Sequence, residues 1–217
     1  MKNYLYKEFI LSFNVLNWLF LIFPGMLLVP AYPGYVGFFY ICLSVMFIFN
    51  NCEINKDMQY SMILPISKAE IVKSRCIVVA VYELIAIILG VGFAVLNKII
   101  DVDPANEAGI ASNVAFFGYL FIIFAVFNFV YFVSFYKKGE KPGKPFFFAC
   151  IAFWLVYFLL EFTVWAEIPG VSDMLDGIDP ASLVKQIPIL AVGIVVFIAG
   201  WILTYKISAK RFEKVNL

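Results

Sequence analysis

The chain alternates long apolar stretches with short polar ones. A helix needs roughly 20 mostly apolar residues to cross the hydrocarbon layer of a bilayer. Six stretches of about that length cover residues 9–29, 34–50, 76–96, 114–136, 146–166 and 187–205. They are continuously apolar and do not alternate with polar positions, so they predict helices and not the strands of a barrel. The pattern predicts an all-α membrane protein with six transmembrane helices, in a single transmembrane domain over residues 1–217.

Composition supports this prediction and narrows the function. Hydrophobic residues make up 64% of the chain and charged residues 14%, whereas soluble domains are about half apolar and about a quarter charged. The chain has no histidine, and it therefore lacks the commonest general base and the commonest metal ligand. We expect no catalytic residue, metal site or bound cofactor on this chain, and an intramembrane enzyme is disfavoured.

The distribution of basic residues predicts the orientation. With the N-terminus inside, 14 of the 16 lysines and arginines fall in inside segments, and only Lys98 and Lys185 fall outside. Cytoplasmic loops carry the excess of basic residues. The outside loops instead hold seven acids, which are Asp101, Asp103, Glu107, Glu167, Asp173, Asp176 and Asp179. Both termini are therefore predicted to be cytoplasmic, which requires an even number of spans.

The polar stretch between the second and third spans predicts two helices. In the first, Ile54, Met58 and Met62 recur at helical spacing and form one apolar stripe. The polar residues predicted to lie away from that stripe are Glu53, Lys56, Asp57 and Tyr60. This pattern fits an ordinary interfacial helix and a docking element for a cytosolic partner equally well.

The second helix of this stretch has its own start signal. Pro65 ends the first helix, because the residue before a proline avoids helical angles. Ser67 and Glu70 then fit a capping box, in which the serine caps the helix and the glutamate reaches back to the serine backbone. We expect this helix to continue into the third span.

Residues 63–75 resemble a recurrent pattern in ABC-type transporter permeases of the type 2 class. The pattern is leucine-proline-isoleucine-serine, a basic residue, any residue, glutamate-isoleucine-valine and then a basic residue. The residues that match are Leu64, Pro65, Ile66, Ser67, Lys68, Glu70, Ile71, Val72 and Arg75. The six-span layout, the inside termini and the chain length agree with the family. By size and general character, the nearest subgroup is the small bacterial permeases that export amphipathic peptides such as phenol-soluble modulins and lantibiotics.

The resemblance implies that the membrane pathway and the ATPase are separate subunits. The loop after the second span would carry a coupling helix that seats in a separate cytosolic ATPase, which binds ATP and Mg²⁺. The expected ATPase-coupling residues are Glu53, Lys56, Asp57, Tyr60, Ile63, Leu64 and Pro65. The chain itself has no P-loop, since the nearest candidate, residues 139–145, is one residue too short and ends in proline.

Other partners follow from the same resemblance. Two permeases and two ATPases would form the exporter, so this chain would pair with a second copy or a paralogue in the cell membrane. The expected cargo is an amphipathic peptide or another hydrophobic or toxic compound, and no nucleic acid is expected as a partner. A small accessory or immunity protein without a motor is the alternative from another functional class, because it would show the same spans.

The two ends of the predicted bundle offer further candidate elements. Residues 2–13 place Leu5, Phe9 and Phe13 on one face, which fits an interfacial elbow helix or simply an early start of the first span. The outside loop 167–186 is either a solvated loop or, as in the family, a set of short re-entrant helices. Asp179 and Pro180 suit a helix start in this loop, which Pro188 would soon interrupt.

Two carboxylates and one proline–glycine pair fall inside the predicted spans. Glu83 and Glu161 are candidate pathway residues, because a carboxylate inside the membrane is costly and by default suggests function. The alternative is that each is a hydrogen-bonded carboxyl that holds helices together. They are expected at different depths and not as a pair. Pro24 and Gly25 should kink the first span and are a candidate hinge.

Overall fold

The computed structural model describes residues 7–9, 12–63, 66–102, 106, 108–137, 141–166 and 170–215, with the backbone alone at 58 and 62. The described residues form helices and no strand. In chain order these are α1 (Val15–Phe20), a 3₁₀ helix (Phe23–Leu28), α2 (Gly34–Ile54), α3 (Asp57–Ile63), α4 (Lys68–Ile100), α5 (Val114–Phe135), α6 (Gly143–Trp165), α7 (Ser172–Asp176) and α8 (Pro180–Phe212). The predicted all-α membrane fold is confirmed.

Five of the described helices, α2, α4, α5, α6 and α8, are long and apolar enough to cross a membrane. They correspond to the predicted second to sixth spans, and several extend beyond them. Helix α4 begins eight residues before the predicted third span, because its start is set by the capping box and not by the apolar stretch. Helix α8 likewise begins at Pro180, well before the predicted sixth span.

The first apolar stretch is shorter and broken. Asn14 caps α1 through a reciprocal pair of hydrogen bonds with Asn17, so α1 begins at Val15, six residues after the predicted start of the first span. Pro24 stands in the first turn of the 3₁₀ helix, where its missing N–H costs nothing. Polar contacts hold this segment in the bundle. The Tyr82 hydroxyl donates to the backbone carbonyl of Asn17 at 2.7 Å, and Asn97 Nδ2 donates to the carbonyl of Leu27 at 2.6 Å.

Helix α5 is the most buried of the long helices, and its principal neighbour is α8. The two backbones touch where Gly118 faces Gly193. A β-carbon on Gly193 would lie only 2.2 Å from the Gly118 carbonyl oxygen. Small residues allow this kind of close approach between helices in membranes. The expectation that Pro188 interrupts the last helix is wrong, since α8 runs through it unbroken. We attribute this to the packing of α8 on α5, which adjoins the proline through the Gly118–Ile189 contact.

Candidate coupling site

The loop between α2 and α4 begins with a sharp turn. Helix α2 continues to Ile54, and Lys56 then adopts a left-handed conformation with φ of 51° before α3 begins at Asp57. The prediction of one apolar stripe is therefore wrong for Ile54, because the turn separates it from α3 and leaves it 70% exposed. The side chains of Met58 and Met62 lie outside the described residues.

The second half of the loop contains the predicted capping box. The Glu70 backbone N–H donates to Ser67 Oγ at 3.2 Å, and the Ser67 N–H donates to Glu70 Oε2 at 3.0 Å. These bonds fix the start of α4, so the loop ends in a rigid helix that continues across the predicted membrane. Leu64 and Pro65, which connect α3 to this start, lie outside the described residues.

A buried ion cluster joins α3 to α4. Arg75, in the second turn of α4, is 1% exposed. Its Nη2 atom lies 3.0 Å from Asp57 Oδ2 at the start of α3 and 2.9 Å from Glu8 Oε2 in the N-terminal segment. Glu8 is fully buried, and Lys7 Nζ lies 2.6 Å from the second oxygen of Asp57. The four groups Lys7, Glu8, Asp57 and Arg75, here called the coupling cluster, carry two charges of each sign and balance.

Neighbouring contacts extend the coupling cluster in three directions. Lys7 Nζ donates to Ser61 Oγ at 2.7 Å, which binds the N-terminal segment to a second position on α3. Ser12 Oγ donates to Glu8 at 3.2 Å and lies 3.3 Å from the Cys52 sulfur on α2. The Arg75 guanidinium lies 5.3 Å from the centre of the Phe49 ring, within cation–π range. The N-terminal segment, α2, α3 and α4 thus meet at one point.

Only part of the predicted ATPase-coupling set is exposed. Glu53, Lys56, Tyr60 and Ile63 are exposed, with Tyr60 at 57% and Ile63 at 83%. Asp57 differs, because its carboxylate is buried in the coupling cluster and does not face outward. The expectation that Asp57 lies on the outward polar side of the helix is therefore wrong. The reason is its charge: two cations, Lys7 and Arg75, reach it from other segments.

The predicted elbow falls only partly within the described residues. Residues 7–9 and 12 are helical and Glu8 is buried, whereas Leu5 lies outside the described part of the chain. Sequence reasoning missed the pairing of Glu8 with Arg75. Basic residues are expected at the inner end of a span, so nothing in the sequence marked Arg75 as a member of a buried ion pair. Its two carboxylate partners lie 67 and 18 residues away along the chain, too far for a local pattern to connect them.

The two candidate pathway carboxylates are buried at separate places. Asn128 Nδ2 donates to both oxygens of Glu83, at 2.9 and 2.8 Å, between α4 and α5. Glu161 accepts from the Ile110 backbone N–H at 3.3 and 3.4 Å. The two are not brought together, as expected. In this conformation each is held by a hydrogen bond within the bundle, and the role of either in a pathway remains a prediction.

The described parts of the loops predicted to lie outside cover the opposite end of the bundle. Gln186 of α8 donates to the carbonyls of Met174, Leu175 and Gly177 and accepts from the Ala115 N–H. The Asp176 carboxylate accepts from the Ala111 N–H at 2.7 Å, and its burial raises its pKa. Asp179 caps α8 by accepting from the Ser182 N–H at 3.0 Å. Hydrogen bonding from the Ser182 side chain, and then from its backbone, lowers the pKa of Asp179.

A largely apolar cavity of about 450 Å³ lies beneath this cover, between α4, α5 and α8. Its walls include Ile87, Val91, Phe117, Phe121 and Leu190, and among the described lining residues Lys98 is the one cation. Pockets of this size and character accept small apolar ligands or parts of larger ones.

The comparison with protein families agrees with this architecture. The family model described as ABC-2 family transporter protein matches residues 3–209. The chain belongs to this family. The predicted resemblance to ABC-type permeases of the type 2 class is thereby confirmed, and the chain is a multi-pass membrane component of an ABC-2 transporter, with a partner ATPase implied by the family. Neither the comparison with curated proteins nor the comparison with solved structures gave a match.

Proposed function

We propose that this ABC-2 protein is the permease subunit of an ATP-driven exporter in the cell membrane, with both termini in the cytoplasm. Its loop 53–75 binds a separate cytosolic ATPase, and a second copy or a paralogue completes the pathway. ATP and Mg²⁺ bind to the partner ATPase and not to this chain. The observation that carries this proposal is the coupling cluster, which joins α3, with its exposed Tyr60 and Ile63, to the start of a membrane-crossing helix.

The coupling cluster gives the loop a way to transmit movement. A force that the ATPase exerts on the exposed side chains of Tyr60 and Ile63 acts on α3, whose first residue forms an ion pair with Arg75. Breaking a buried ion pair costs several kcal/mol, so α3 and the start of α4 move together and do not separate. The N-terminal segment moves with them, because Glu8 and Lys7 bind the same cluster. In this arrangement Asp57 links the loop to the spans and does not contact the ATPase.

The cargo we propose is an amphipathic peptide or another hydrophobic or toxic compound. The cavity between α4, α5 and α8 supports this, because its walls are almost entirely apolar and suit the apolar side of such a molecule. Export is the direction that the resemblance to peptide-exporting permeases implies, and the lysine-rich loops support a cytoplasmic position for loop 53–75.

The test is the double variant Tyr60→Ala with Ile63→Asp. We expect the partner ATPase to be lost from affinity purification and ATP-dependent transport to fall, while the variant still inserts and remains folded, because both side chains are exposed. The matched control is Lys206→Ala with Lys210→Ala, which changes two exposed side chains on α8, away from the loop. Recovery of the full amount of ATPase with the loop variant, or no ATPase with the unmodified protein from its native host, would refute the proposal.

A further inference from the structure

A second cavity, of about 440 Å³, lies at the lysine-rich end of the bundle and belongs to neither the coupling cluster nor the apolar cavity. It lies between the end of α5, the start of α6 and the last turn of α8. Its described lining consists of Ser134, Phe135, Lys137, Lys141, Lys144, Pro145, Phe148 and Arg211. We call this the basic pocket.

The charge of the basic pocket is strongly one-sided. Four of its eight described lining residues are cations, Lys137, Lys141, Lys144 and Arg211, and none of the eight is a carboxylate. Among the described residues, none of the four cations forms an ion pair. The basic pocket therefore suits an anionic ligand.

The backbone at this point favours an anion as well. Helix α6 begins at Gly143, and the hydrogen bond that closes its first turn is donated by the Phe146 N–H to Pro142 at 3.0 Å. In this first turn Gly143 and Lys144 each carry a backbone N–H of the kind that binds phosphate at helix N-termini, whereas Pro145 has none. Arg211 Nη1 donates to the Val133 carbonyl at 2.9 Å, which covers one of the C-terminal carbonyls of α5 that would otherwise repel an anion.

An apolar track leads out of the basic pocket along the membrane face of α6. Phe148, in the pocket lining, is followed at helical spacing by Ile151 and Leu155, and each of the three is more than half exposed. These residues lie on one face of a helix long enough to cross the bilayer. A ligand with a phosphate and two acyl chains can therefore occupy the pocket and the track together, whereas a soluble phosphate can occupy the pocket alone.

We infer that the basic pocket binds the phosphate headgroup of an anionic phospholipid in the leaflet at the lysine-rich face, with its acyl chains along α6. Basic pockets between transmembrane helices on the cytoplasmic side suit such headgroups, and each lysine or arginine near an anionic surface contributes about 1 kcal/mol. This inference concerns lipid binding by the chain itself and does not depend on the partner ATPase or on the cargo.

The experiment measures lipid binding to the purified protein by native mass spectrometry. Phosphatidylglycerol and phosphatidylcholine with identical acyl chains are titrated into the same detergent. We expect tighter binding of phosphatidylglycerol, and about thirtyfold weaker binding of it by the double variant Lys141→Gln with Lys144→Gln, which follows from the loss of two lysines. Phosphatidylcholine binding should hardly change.

The matched control is Lys206→Gln with Lys210→Gln. It removes two positive charges from α8 at the same end of the bundle, and neither residue belongs to the described pocket lining. The control should keep the preference for phosphatidylglycerol. Equal loss in both variants would mean a diffuse positive surface and would overturn the inference, as would equal binding of the two lipids by the unmodified protein.

Two further measurements distinguish a phospholipid in the basic pocket from free phosphate and from a protein partner. Inorganic phosphate at a tenfold excess over the lipid should not displace phosphatidylglycerol, because it lacks the acyl chains; full displacement would identify a free-phosphate site instead. If the Lys141→Gln, Lys144→Gln variant keeps its lipid preference but loses a copurifying ATPase, these lysines bind a protein and the lipid inference fails.

Discussion

Replacement of Arg75 by methionine tests the coupling cluster most directly. Methionine keeps the length and much of the volume of the side chain but removes its charge and its hydrogen bonds. The variant leaves Glu8 fully buried without a cation, while Asp57 keeps Lys7 at 2.6 Å. The free energy of holding α3 and the N-terminal segment against α4 should therefore fall.

The size of the loss follows from the burial of the groups. Removing one partner of a buried ion pair typically costs about 3 to 5 kcal/mol, and the lower end applies here because Lys7 still compensates Asp57. A loss of about 3 kcal/mol increases the population of the locally opened loop by roughly 150-fold, at about 1.4 kcal/mol per factor of ten.

Hydrogen–deuterium exchange measures this opening locally. We expect the amides of α3 to exchange about 150-fold faster in Arg75→Met, whereas the central amides of α5 should be unaffected, because they are buried far from the loop. Arg211→Met is the matched control, since it also removes an arginine at the same end of the bundle but one that is exposed and bound to a carbonyl. It should leave α3 unchanged.

A second substitution makes the reasoning refutable. Adding Glu8→Gln to Arg75→Met removes the stranded carboxylate, so the double variant should recover a large part of the lost protection, because removing both charges of a buried pair is often close to neutral. Acceleration of less than fivefold in Arg75→Met, or strictly additive losses in the double variant, would contradict the assignment of a buried, energetically coupled ion cluster.

Two other predictions concern the membrane-spanning part. Gly193→Ala should destabilise the bundle strongly and lower its melting temperature, because the added β-carbon would collide with the Gly118 backbone at 2.2 Å. Gly92→Ala is the control. A β-carbon there would meet no neighbouring atom within 4 Å, so this variant should not lower the melting temperature. Glu83→Gln should keep stability within about 1 kcal/mol, because an acceptor oxygen remains for its amide partner, whereas Glu83→Leu should cost about 1 to 3 kcal/mol. Transport assays on the glutamine variant then separate a structural carboxyl from one that contacts cargo: unchanged transport would exclude the pathway role.

The spans and the start of α4 could be predicted because they depend on local sequence. Apolar length determines which segments can cross the bilayer, and the capping box needs only Ser67 and Glu70, three residues apart. The break in the first span was signalled only in part. Pro24 predicted a kink, but the later start of α1 depends on the Asn14–Asn17 cap, which an apolar count does not detect.

The coupling cluster could not be predicted in this way, because its members come from three separate segments. Asp57 is polar, so a helical pattern places it on the outward side, and only the positions of Arg75 and Lys7 in space make a buried site favourable for it. The basic pocket is a similar case. Its lysines were visible in the sequence as an orientation signal, but the approach of Arg211 from α8 requires the folded arrangement.

The contact between Gly118 and Gly193 has a consequence for how this protein can change shape. Two helices whose backbones touch, and which adjoin along most of their length, have little freedom to slide or rotate against each other. Helices α5 and α8 therefore move as one rigid unit. Any opening of the bundle must occur where this pair of helices contacts the other helices. The broken first span is the segment best able to follow such a movement, because its short helical pieces are joined by turns.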